Sequence, residues 1–212
     1  MKEQLVKNGF SEDRIDIIAP IPRALETSRQ LKPSKQREIL YVGQVIRGKG
    51  VDLLLHALSR LTGPWRANIV GEGNYLQTCR DLAAELGISD RVQFKGWIPH
   101  DQLEAQFERA LFAVVPSRWP EPFGMVGPEA MSRGRPVVAF AAGGIPDWLE
   151  DGVSGFLVPP GDINGLASAM DRLLSQPGLA ESLGRGAAKT VAHRLTHHNY
   201  MSNLRNTLES TL

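Results

Sequence analysis

Short apolar runs alternate with helix-length amphipathic stretches along most of this chain, and that alternation constrains the fold more than any other feature. A strand covered on both faces reads as a nearly unbroken apolar run, whereas a helix shows apolar residues three and four apart. Runs of the first kind span Glu38–Val42, Arg66–Val70, Arg91–Phe94, Leu111–Val115, Pro136–Phe140 and Gly155–Val158. Stretches of the second kind lie between them at Lys49–Leu61, Tyr75–Leu86, Gln102–Ala110 and Gly127–Arg133, and Leu53, Leu54, Ala57, Leu58 and Leu61 show the spacing best. Gly63-Pro64, Gly87 and Gly134 mark helix stops. The pattern predicts an α/β fold: a Rossmann-like parallel sheet of about six strands with helices on both faces.

The ends read differently. Residues 1–10 have a helical pattern with no strand before them, and residues 18–36 form an extended, Pro-marked connection. The expected division is a remnant helix and interdomain linker over 1–36, a Rossmann-like ligand-binding domain over 37–176 and C-terminal helices over 177–212, the first piece joining a missing N-terminal neighbour. A chain of 212 residues suits one large domain with a short attachment. Charge is nearly balanced, with 24 Lys and Arg against 23 Asp and Glu, so a nucleic-acid binder that depends on a broad basic field is excluded. No stretch reaches the ~18 apolar residues of a membrane span, and the polar start is not a signal peptide. Peripheral membrane contact stays compatible with this. Cys79 is the sole cysteine, which excludes an intrachain disulfide and a Cys-based zinc site and agrees with a cytoplasmic setting.

Ligands of open parallel sheets bind at the carboxyl ends of the strands, and five Gly-rich segments fall there. They are Gly43–Gly50, Gly71–Asn74, Gly96–His100, Pro116–Gly124 and Ala141–Pro146. The first carries Arg47 and Lys49 just before a helix start, where backbone N–H groups, the helix dipole and a full cationic charge would meet an anion. A solvated basic turn is the plain alternative. Gly50 stands where a Walker A loop needs Ser or Thr, and Leu76 replaces the third glycine of a dinucleotide fingerprint after Gly71-Glu-Gly73. The sharpest feature is Glu121-Pro-Phe-Gly-Met-Val-Gly-Pro-Glu129, two carboxylates separated by seven residues. Glycoside-hydrolase-like work would need one of them with a raised pKa. Alternatively both stay ionised and accept hydrogen bonds from sugar hydroxyls, as a carboxylate does from a ribose diol.

Gly43-x5-Lys49-Gly50, Gly71-Glu-Gly73, Asp90–Trp97, the Glu121-x7-Glu129 pair, Gly134–Val138, Gly143–Pro146, Asp151–Gly155 and Pro159–Asp162 occur in one order. Together they resemble the C-terminal half of the retaining glycosyltransferases of group 1 (family 4), which have the GT-B fold. The resemblance covers about Ile39 to Asp162 closely. It implies that residues 37–176 bind a nucleotide sugar carried on UDP or GDP. Glu129 would take the ribose hydroxyls and Glu121 the hydroxyls of the donor sugar. The backbone N–H groups of Phe123, Gly124, Met125 and Val126 would lie near the sugar and phosphates. Lys49 would neutralise the diphosphate, Gly71 and Gly73 would border the donor, and Gly96, Trp97 and Ile98 would lie along the base. No metal or other cofactor is expected, since Lys and Arg take over charge neutralisation. Gln44 departs from the family, which usually has Arg there as a second diphosphate ligand; Arg47 is placed to substitute.

The implied function is retaining transfer from a nucleoside-diphosphate sugar to an acceptor (a sugar, lipid or small molecule) held by the missing N-terminal domain, so the fragment alone would be inactive. The alternatives are a nucleotide-sugar epimerase of the same fold and a nucleotide-sugar-binding module without chemistry. Trp65 and Trp148 read as packing residues, Cys79 and His56 as helix residues, and Trp119 as either packing or ligand.

Overall fold

Six runs of mostly aliphatic residues pair as parallel strands: β1 (Glu38–Val42), β2 (Arg66–Val70), β3 (Val92–Gly96), β4 (Ala110–Val115), β5 (Val137–Phe140) and β6 (Gly155–Val158). They lie in the order β3-β2-β1-β4-β5-β6. The structure, a computed structural model, describes residues 2–21, 31, 32, 34, 36–176 and 178–210. The chain therefore winds outward from β1 to β3, returns, and winds outward again from β4 to β6. The strand order reverses between β1 and β4, which is where a doubly wound sheet opens a crevice for ligands.

The helices are α1 (Lys2–Lys7), α2 (Val51–Leu58), α3 (Leu76–Glu85), α4 (His100–Arg109), α5 (Val126–Ser132), α6 (Ile163–Ser175), α7 (Leu179–Arg194) and α8 (His197–Ser210). Helix α2 packs against α3 and α6, α5 against α7, and Arg133 after α5 stacks on Phe107 of α4, so the sheet is covered on both faces. Leu54 and Leu58 of α2, Ile39, Ile69, Phe112 and Val138 of the strands, and Leu166 and Met170 of α6 are fully buried in one core. Helix α6 begins at Asp162, whose carboxylate accepts from Gly165 N–H at 2.9 Å.

The strand bounds expected at β1, β2 and β6 are those observed. Strand β3 starts one residue later than its apolar run and continues to Gly96, because Gly71 N–H donates to Gly96 O at 2.7 Å past a register shift in β2. The helix expected over 49–61 is shorter. Lys49 belongs instead to a separate 3-10 turn over Arg47–Lys49, divided from α2 by left-handed Gly50, and the last expected residues tighten into bonds from Arg60 N–H to Ala57 O and from Leu61 N–H to Leu58 O. Helix α4 starts at His100, two residues early, behind Pro99, whose fixed φ suits a helix entry. Residues 22–30, 33 and 35 of the expected linker, and Pro177 at the expected C-terminal boundary, lie outside the described residues.

Among the described residues three buried side-chain atoms, Asp52 Oδ1, Trp65 Nε1 and Gln106 Oε1, have no hydrogen-bond partner, whereas the buried charge at the start of β1 is matched. Glu38, buried at the start of β1, accepts two hydrogen bonds from Arg109 (3.0 and 2.6 Å) and one from Asn68. Trp65 and Trp148 are buried packing residues, as read from the sequence. Cys79 is buried in α3, where loss of solvent pushes its thiol up to about 12, too high for a reactive thiolate.

Candidate functional site

The loops that follow β1 and β4 face each other across the reversal of strand order, and backbone contacts lock them together. Arg118 N–H donates to Gly48 O at 2.9 Å. Gly50 sits at the start of α2 with φ +70°, and a Cβ there would fall 1.9 Å from Pro116 O, so only glycine fits. The indole of Trp119 lies over Gly48, whose Cβ, if present, would be 3.0 Å from the ring. The Arg118 guanidinium pairs with Asp52 of α2, tying the second loop to the first helix. On the other side Gly144 N–H donates to Glu121 O at 2.8 Å, and Trp148 Nε1 donates to Phe123 O at 2.5 Å.

This frame brings Lys49 and Glu121 into contact. Lys49 Nζ donates to Glu121 Oε1 at 2.5 Å, and Ser117 Oγ donates to the same oxygen at 2.5 Å. Glu121 is 5% exposed, and the Lys49 side chain retains 26% of its exposure. The second oxygen, Glu121 Oε2, accepts no hydrogen bond from a described residue. Tyr41, whose hydroxyl donates to Gln44 O at 2.7 Å, is held protonated by burial and by the nearby Glu121 charge. A buried carboxylate with one ammonium, one hydroxyl and one open oxygen can accept a ligand hydroxyl without losing its counter-charge.

Arg47 lies in the same 3-10 turn as Lys49, exposed, and its side chain makes no hydrogen bond or ion pair with a described residue. Its charge is therefore unpaired among the described residues. Gln44 is also exposed. Val45 exchanges backbone bonds with the loop after β2, through Glu72 O at 2.8 Å and Tyr75 N–H at 3.0 Å, which sets Gly71 and Gly73 beside the first loop. Gly96 ends β3, Trp97 stands 69% exposed, and Ile98 packs half-buried against the core.

Phe123, Gly124, Met125 and Val126 carry the chain from Glu121 into α5 and are half-buried. Glu129 lies in the first turn of α5, with its N–H bonded to Met125 O at 3.0 Å. Burial pushes its carboxyl above the ordinary range, while the charges of Arg133 and His100 pull partly the other way. Arg133 is itself fixed by Glu104 at 2.6 Å and by Glu129 O at 2.8 Å. No hydrogen bond among the described residues joins the Glu129 carboxylate to the Lys49–Glu121 pair.

Sequence reasoning did not single out Ser117, Tyr41, Arg118, Arg133 or His100. Ser117 had a local signal, standing four residues before Glu121 in the same loop. Arg133 had one as well, standing four residues after Glu129, whereas Tyr41 had none, because its approach to Glu121 depends on a loop distant in sequence. Among the described residues no group of three His, Cys, Asp or Glu side chains is placed to hold a metal ion.

A family model described as glycosyl transferases group 1 matches residues 23–190. A D-inositol 3-phosphate glycosyltransferase of Frankia alni is 39% identical over 202 residues, covering 85% of this chain and 49% of its own length. Among solved structures, the apo lipopolysaccharide outer core galactosyltransferase WaaB superposes with a TM-score of 0.86 at 28% identity, over 100% of this chain and 60% of that one. Sucrose-phosphate synthase from Thermosynechococcus elongatus gives 0.74 at 32% identity, over 92% and 50%. The chain spans about half the length of the curated relatives it matches.

Proposed function

The chain belongs to the glycosyl transferases of group 1, and on that premise we propose that it is the donor-binding half of a retaining glycosyltransferase using a nucleoside-diphosphate sugar. The observation that carries this reading is the Lys49–Glu121 contact at the point where the strand order reverses. It sets a cation and a hydroxyl-accepting carboxylate side by side, which is what a sugar joined to a diphosphate requires. In this assignment Glu121 Oε2 takes donor-sugar hydroxyls, and Lys49 and Arg47 face the diphosphate. Glu129 takes the ribose diol, Trp97 and Ile98 line the base, and Phe123–Val126 supply backbone N–H groups. Gly71, Gly73 and Gly96 let the chain approach the donor closely.

As the bond from the anomeric carbon to the diphosphate breaks, negative charge builds on the leaving oxygen, and a positioned ammonium lowers the energy of that state. The acceptor hydroxyl then attacks from the same face and gives its proton to the departing diphosphate, which retains the anomeric configuration. Lys49 and Arg47 supply the neutralising charge, so no metal is assigned. The acceptor is assigned to the other half of a two-domain enzyme. The relatives' names differ in what they act on, so what supports the reading is the shared transfer of a sugar.

Calorimetry of the chain against UDP, GDP and ADP tests the donor assignment. Binding of at least one, weakened by Glu129→Ala, is expected. Failure of all three to bind would overturn it.

A further inference from the structure

At the end of the sheet opposite the Gly-rich loops, four adjacent strands each start beside an arginine. Arg91 precedes β3, Arg66 opens β2, Arg37 precedes β1 and Arg109 precedes β4. Neighbouring strands lie ~4.8 Å apart, so the four attachment points form a row about 15 Å long. All four line one cavity of about 710 Å³, together with Trp65. Its acidic wall residues are Glu38 and Asp90, which leaves a formal charge of +2 on the walls of one cavity in a chain whose total is only +1.

The four guanidiniums are not equivalent. Arg109 is committed to the buried Glu38 carboxylate through two hydrogen bonds. Arg91 lies over the Trp65 ring at 3.9 Å and donates to Gly63 O at 2.5 Å, so it is held in place with its charge uncancelled. Arg37 and Arg66 are exposed, and although Arg66 N–H donates to Arg37 O at 3.1 Å, neither side chain makes a hydrogen bond or ion pair with a described residue. Structural arginines in this chain look different: Arg135, at the start of the next strand, is buried and donates to the Phe107, Lys32 and Glu108 carbonyls.

We propose that this cavity is a second anion site, remote from the donor loops, that takes a ligand carrying two or more neighbouring phosphates. Guanidinium forks match phosphate oxygens two at a time, and a row of this length exceeds what one phosphate can engage. Arg91, stacked and pre-oriented, forms the fixed wall, and Arg37 and Arg66 close on the ligand from the strand ends. The phosphates belong either to a soluble polyphosphorylated anion or to lipid headgroups. The inference is independent of the donor assignment at the other end of the sheet.

The test uses two probes on the full chain at low ionic strength, in a Lys49→Ala/Arg47→Ala background that removes competing cations of the donor loops. One probe is inorganic tripolyphosphate, read by calorimetry. The other is co-sedimentation with vesicles of phosphatidylglycerol and phosphatidylcholine, against phosphatidylcholine alone. Arg37→Ala/Arg66→Ala is expected to weaken whichever probe binds by ~10-fold or more, with the thermal unfolding midpoint unchanged. Both side chains are exposed, whereas Arg109 is left intact because its loss would strand the buried Glu38 charge. Should the double variant lose its fold, Arg37→Glu alone carries the same expectation. A loss confined to tripolyphosphate assigns a soluble ligand, and a loss on vesicles assigns headgroups. Failure of the unaltered background to bind either probe, or binding that the substitutions leave unchanged, would overturn the site.

Discussion

Glu121 holds its charge in a nearly closed environment, and one ammonium and one hydroxyl offset the lost solvent. Removing Lys49 leaves that carboxylate short of a partner, and breaking such a pair costs more than the pair itself contributes. Lys49→Ala is therefore expected to lower stability by ~2 kcal/mol, and by much less when Glu121 is already Gln. A double-mutant cycle on thermal unfolding checks this; additive effects would show that the contact carries no coupling. In the proposed two-domain enzyme Lys49→Ala is also expected to lower kcat by ~10²-fold, since the role assigned to its charge is on the leaving diphosphate. A kcat within about twofold of the parent would sink that role. Glu129 behaves in the opposite sense. Burial raises its folded pKa above the ordinary 4.5, so its contribution to stability is complete below that value and lost as pH rises through the raised one. Glu129→Gln, always neutral, should melt higher than the parent at neutral pH and alike below the ordinary value. The same change should weaken nucleoside diphosphate binding ~10-fold, because a charged acceptor is lost. Melting curves across pH, paired with titrations, read both signs.

At the scale of elements, the site depends on how the β1 and β4 loops interlock. Gly50 is both the left-handed entry to α2 and the point of closest approach to Pro116 O. Gly50→Ala should push the two loops apart, costing ~1–3 kcal/mol for the strained backbone and displacing Lys49. Asp162→Ala is the matched control. It removes the α6 cap and should cost ~1 kcal/mol, yet the Asp162 carboxylate bonds to Gly165 N–H and to neither interlocked loop, so nucleotide affinity should not change. Equal losses of affinity in the two variants would mean that binding follows overall stability and not loop geometry. The strand and helix periods were legible because each is a local repeat. The 3-10 turn at Arg47–Lys49 was not, since contact with the β4 loop shapes it as much as its own sequence does.

For the whole molecule, the proposed assignment puts the donor at one end of a single sheet, so this chain is expected to bind a nucleoside diphosphate without transferring sugar, and that binding is expected to survive a chelator. Titration with and without EDTA, and product assay of the chain alone with labelled donor, test both points. Affinity lost to EDTA and restored by Mg²⁺ would place a metal in the site, and robust transfer by this chain would overturn the two-domain assignment. The sequence by itself determined the α/β class, the six strands, the Gly-rich strand ends and the two acids of the Glu121-x7-Glu129 motif. These are periodicities and spacings within a few turns of chain, written in residues that touch their neighbours in sequence. Tertiary structure alone decided that β1 lies beside β4, that Lys49 meets Glu121 across 72 residues, and that Ser117 and Tyr41 complete the carboxylate's surroundings. It also gathered the arginines of four strand starts into one cavity. Strand order depends on which apolar faces bury together in three dimensions, and no local pattern encodes that choice.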